Sequence, residues 1–116
     1  MAFVPMSGGG DAKAVSGTLN RGSSAVTVEC GFRPSKIICI HGSGSSTTSA
    51  NGETQFIYDS DWSSSLVICN YRNGSGTAYM AKYAVSNYIT LSDTGFILNG
   101  TSSSQYQGTY SYTAIG

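Results

Sequence analysis

Residues 30–41 read CGFRPSKIICIH, and the rest of the chain is arranged around them. Gly31 and Phe32 lead into Pro34, whose ring fixes one φ angle and turns the chain. Ile37, Ile38, Cys39 and Ile40 then run without a polar break. An unbroken, largely β-branched run predicts a strand covered on both faces. His41 closes it. Working outward, residues 25–30 alternate, with Val26, Val28 and Cys30 on one side and Ala25, Thr27 and Glu29 on the other, the period of a half-buried strand.

Further strands follow at intervals of about ten residues, with turn chemistry between them. Residues 13–19 form a weak strand anchored by Val15, and Asn20-Arg21-Gly22 reads as a turn. Residues 54–59 place Phe56 and Tyr58 opposite Ile57, and residues 65–72 place Leu66 and Ile68 opposite Val67, Cys69 and Tyr71. The NGSG at 73–76 is a hairpin signal, so 77–83 returns antiparallel. Residues 85–91 and the short run Phe96-Ile97-Leu98 add two more strands. Residues 106–115 then place Tyr106, Gly108, Tyr110, Tyr112 and Ala114 on one face. No segment holds a helical period. Eight or nine short strands predict an all-β protein, an antiparallel β-sandwich of jelly-roll or immunoglobulin-like kind or a related barrel.

The 116 residues suit one domain over 12–116. Residues 1–11, MAFVPMSGGGD, place a short apolar head before three glycines, either a frayed terminus or a flexible arm whose Phe3 and Met6 dock on a neighbour. The arm lacks a basic region and a long apolar stretch, so neither a signal peptide nor a membrane span is expected. Charged residues make up only 10% of the chain, six basic against six acidic, so no field draws nucleic acid or an anionic membrane. Ser and Thr supply 31 positions and Tyr 8, giving a polar but nearly uncharged surface. Cys30, Cys39 and Cys69 are odd in number and unpatterned, which reads as small buried hydrophobes folded in a reducing compartment. A Cys30–Cys39 bridge would leave Cys69 unpaired.

Few residues suggest chemistry. His41 is the only histidine, and no nucleophile or orienting acid is specified beside it. It reads as a strand-end residue that caps or faces solvent. Asp59 and Asp61 flank Ser60 next to the single tryptophan, Trp62. Two carboxylates so placed can hold calcium or act as an acid/base pair, but the further ligands of a calcium loop are missing. A solvated turn is the plainer reading. Trp62 either stacks on a sugar ring or packs in the core beside that turn. The polar loop 42–53, GSGSSTTSANGE, contains Ser46, Thr48 and Asn51 and is long enough to serve binding. With Trp62, Asp59 and Asp61 these residues form the candidate binding set. Tyr106, Tyr110 and Tyr112, with Phe3 and Met6, form the candidate set for subunit or core contacts. No catalytic residue, metal ligand or cofactor is assigned.

Three motifs carry a resemblance. The strand entry CGFRPSKII at 30–38 resembles the "GF-x-P-x-hydrophobic" entry of small bacteriophage structural domains found in tail fibres, minor tail proteins and head fibres. TGFIL at 94–98 is similar to their later "GF" strand. YSYTAIG at 110–116 resembles their aromatic closing strand, which often ends in "Y-x-A-I-G". The resemblance implies a non-enzymatic virion structural or adhesion protein, a tail or fibre component near the host-contact end. It further implies a homotrimer that meets other tail or head proteins, folded in the bacterial cytoplasm and carried in the virion. More distantly, the fold resembles the H-type lectin sandwich, which would make a carbohydrate-binding module reading a host surface glycan the alternative. No sugar-binding motif of that family matches residues here.

Overall fold

The computed structural model describes residues 13–41, 54–72, 77–102 and 106–116. Nine strands run along them: β1 (Ala14–Arg21), β2 (Val26–Glu29), β3 (Lys36–His41), β4 (Thr54–Asp59), β5 (Leu66–Arg72), β6 (Ala78–Ala84), β7 (Ile89–Ser92), β8 (Gly95–Leu98) and β9 (Gly108–Ile115). A single 3₁₀ turn, Val85–Asn87, joins β6 to β7. All pairings are antiparallel. One sheet has six strands in the order β1-β9-β3-β4-β5-β6, and the other has three in the order β2-β8-β7. The protein is therefore all-β, consistent with the sandwich that the alternating segments predict.

The inner face of the large sheet interleaves small and large side chains. Register places Gly17, Tyr112, Cys39, Phe56, Cys69 and Ala81 in one row across the strands. Phe56 is fully buried between two fully buried cysteines. A Cβ at Gly17 would come 2.9 Å from the Tyr112 hydroxyl, so a side chain there would displace that ring. From the small sheet, Val28, Ile89, Phe96 and Leu98 close over this face, and Phe96 meets Tyr112 edge to face at 5.9 Å. The three cysteines are free thiols, with Cys39 and Cys69 buried and Cys30 half-buried. Burial pushes the Cys39 thiol up to about 12, against a weaker opposite pull from Arg21.

Several expectations need correction. Ile37 and Cys39 are fully buried, but Ile38 and Ile40 are 37% and 46% exposed. Among the described residues, strand β3 is thus covered on one face only, because the three-stranded sheet lies over one side of the six. Arg21 is not part of a turn: it ends β1 and points inward, 6% exposed. Tyr106 precedes β9 and is not part of it. Of the tyrosines set aside for subunit or core contacts, Tyr110 is fully buried within the single chain and takes the core role. Tyr112 is half-buried and packs on the same core. Residues 85–91 divide into the 3₁₀ turn and β7.

Candidate functional site

The turn after β4 is built by Asp59. Its carbonyl accepts the N–H groups of Trp62 and Ser63 at 3.0 and 2.9 Å. Its carboxylate accepts the Asp61 N–H at 2.9 Å, an aspartate turn in which the side chain holds the backbone two residues on. Lys36, at the start of β3, reaches both acids: its Nζ lies 2.8 Å from Asp61 Oδ2 and 3.4 Å from Asp59 Oδ1. The Ser60 N–H donates to Ser35 O at 2.8 Å and ties this turn to the strand entry. The Asp61 N–H beside it is the main cause holding the Asp59 carboxyl below the usual carboxylate range, with Lys36 adding to it. Lys36 is raised, chiefly through its bond to Asp61.

This arrangement bears on the readings of the two acids. Both carboxylates face one ammonium, which offsets one of their two negative charges. Among the described residues no group of three or more His, Cys, Asp or Glu converges as metal ligands would. Trp62 is 47% exposed, which removes the core-tryptophan reading and leaves its side chain on the surface, next in the chain to Asp61. Ser46, Thr48 and Asn51 of the binding set lie outside the described residues, as do Phe3 and Met6, the N-terminal arm and the 73–76 turn.

A second cluster went unread in the sequence. Arg21 is buried, and its Nε donates to Asn99 O at 2.8 Å. Its Nη1 donates to the Tyr110 hydroxyl at 3.2 Å, and the guanidinium carbon sits 5.6 Å from that ring's centre. The Tyr110 hydroxyl in turn donates to Tyr106 O at 2.7 Å. His41 stacks on Tyr110 at 4.7 Å and 13°, and its Nε2 donates to Gln107 O at 3.0 Å. The cluster ties Asn99, Tyr106 and Gln107 to the end of the large sheet. His41 does cap a strand end, though against a tyrosine ring and a carbonyl. Arg21 carried a weak signal: it falls in phase with Val15 and Leu19, on one face of an alternating strand.

The structure also brings the three sequence motifs together. Cys30 and Gly31 donate their N–H groups to Thr94 O at 2.8 and 2.9 Å, joining the first Gly-Phe step to the second. Gly31 sits at φ 84°, a left-handed conformation that glycine adopts without strain. Phe32 is buried and lies against Gly116 at the end of the aromatic strand, while Ser35 N–H donates to Ile115 O at 2.7 Å. The motifs are thus one structural seam joining β2, β3, β8 and β9. Searches against protein-family models, curated proteins and solved structures find no match to this chain.

Proposed function

We propose that this protein is a non-enzymatic structural or adhesion domain of a bacteriophage particle, a tail or fibre component that works as a homotrimer. One observation carries the reading: the side chains best equipped for chemistry are engaged in building the fold. Asp59 forms a turn and shares Lys36 with Asp61. His41 and Tyr110 anchor a chain segment. A domain whose polar groups hold its own backbone in place is suited to bearing contacts between subunits, and its few charges suit dense packing in a particle. The motif resemblance supports the same class, because those motifs form the seam that ties the two sheets together. Sedimentation equilibrium at tens of micromolar tests this, with a species of three times the chain mass expected. A strict monomer at that concentration overturns it.

A carbohydrate-binding module is the second reading, favoured by Trp62. Its half-exposed indole offers an apolar ring face, and the adjacent Lys36 and Asp61 offer a donor and an acceptor for sugar hydroxyls. Binding on a glycan array that is lost in Trp62→Ala supports it. An array without a hit, or binding that survives the substitution, removes it.

A further inference from the structure

The large sheet has an outer face that the small sheet does not reach. Register lays out its central row as Ser16, Thr113, Ile38, Ile57, Ile68 and Lys82, and the adjoining row as Thr18, Ser111, Ile40, Gln55, Asn70 and Met80. Three isoleucines therefore stand side by side on the three neighbouring strands β3, β4 and β5, with Ile38 37% exposed and Ile57 and Ile68 half-buried. Ile40 at 46% and Met80 at 74% exposure continue the apolar area, and Ile115 at 36% borders it beyond the central row. Scattered exposed hydrophobes are ordinary, but a contiguous strip across three central strands marks an interaction surface.

We propose that this face is where another copy of the chain packs, with Ile38, Ile57 and Ile68 at the centre of the contact. The inference rests on the assembly reading above and names the surface that reading needs. Three features point to a copy of the chain as the occupant. First, the two rows contain one charged side chain, Lys82, and it lies on the edge strand β6. Lys36, in the next row, is already paired with Asp59 and Asp61. Identical faces thus meet with little like-charge repulsion, whereas an ionic partner finds nothing to grip. Second, the area fits. Six strands about 4.8 Å apart and about 20 Å long give a face of roughly 580 Å² in plan, near the roughly 800 Å² per partner of a stable interface once side-chain relief is added. Third, the unbroken Ile37–Ile40 run has the composition of a strand covered on both sides, and among the described residues only one side is covered. Three copies around an axis running along the strands bring all three isoleucine rows together. The Ser and Thr side chains of β1 and β9 then form the polar margin.

The test is sedimentation velocity on the full chain and on Ile40→Lys/Ile57→Lys, with circular dichroism to check the strand content of each. A wild-type oligomer and a folded monomeric variant, its association weakened at least a hundredfold, support the proposal. A wild-type oligomer with a variant that assembles equally well overturns this surface and leaves the assembly reading intact. A wild-type monomer overturns both. If the double variant does not fold, Ile40→Thr replaces it: this residue is nearly half exposed, and a tenfold weaker association is expected. Unchanged association of folded Ile40→Thr counts against the face.

Discussion

The two faces of the six-stranded sheet share the same strands and differ in what covers them. The inner face interleaves Gly17, Tyr112, Cys39, Phe56, Cys69 and Ala81, large beside small, and the three-stranded sheet closes over it. The outer face sets Ile38, Ile57 and Ile68 side by side, equal in size and without interleaving. Graded sizes make a jigsaw that fits one partner already in the chain. Equal sizes make a smooth ridge that fits a surface like itself. Hydrophobicity alone therefore does not identify the core: it is the size pattern across strands that marks the face packed within the chain.

Adjacent residues on β4 give the sharpest contrast. Phe56→Ala empties a fully enclosed ring site and should cost about 3–5 kcal/mol in urea unfolding. Ile57→Ala, one residue along and on the other face, should cost the isolated chain about 1 kcal/mol or less. Similar losses at the two sites would break the distinction between the faces. Next in size is Tyr110→Phe. It removes the acceptor of the buried Arg21 Nη1 and the donor to Tyr106 O, so about 1–3 kcal/mol is expected. Arg21→Met in the same background should recover part of that loss, because an apolar chain needs no acceptor.

The cysteines probe the inner face without changing the chain. At neutral pH a thiol reagent should modify Cys30 first, with Cys39 and Cys69 reacting only on unfolding. Cys39 also predicts an alkaline limit. In the unfolded chain its thiol ionises near 9.0, but in the folded chain it stays protonated to about 12. Its contribution is therefore present below the lower value and lost as pH rises between the two. Cys39→Ala should flatten this part of the pH–stability curve.

Period two was enough to read most of the inner face. Phe56 and Tyr58 opposite Ile57, and Val67 and Cys69 opposite Ile68, stand as the alternation requires. Alternation is a local signal, and it failed where the outcome depended on a distant element. Ile38 and Ile40 look covered in sequence because nothing local reveals that the three-stranded sheet lies over the other face of the six. Arg21 was misread for the opposite reason: beside Asn20 and Gly22 it resembles a turn, and its partners Asn99 and Tyr110 are nearly eighty or more residues away. At the candidate site, the Asp59–Trp62 turn was legible because aspartate turns are local. Lys36, which pairs with both acids, comes from another strand and was not.

The smallest expected effect lies at that turn, and it separates two roles of one side chain. Asp59 accepts the Asp61 N–H and also faces Lys36. The Asp59→Asn substitution keeps an oxygen for the N–H and loses the charge, whereas Asp59→Ala loses both. The lowered Asp59 carboxyl shows that the turn bond and Lys36 both favour its charged form, so Asp59→Asn should lose part of what Asp59→Ala loses, and both should destabilise modestly. Both effects should fall below that of Tyr110→Phe, because an exposed ion pair contributes little. The acid dependence has a definite sign. A carboxyl lowered by folding contributes stability above its ordinary unfolded value, and that contribution disappears as pH falls through the lower folded value. The stability gap between the wild type and Asp59→Ala should therefore narrow at low pH and widen above the ordinary carboxylate range. Curves separated equally at every pH would mean that the turn acts through its neutral atoms alone, and that Lys36 holds the two strands by its reach and not by its charge.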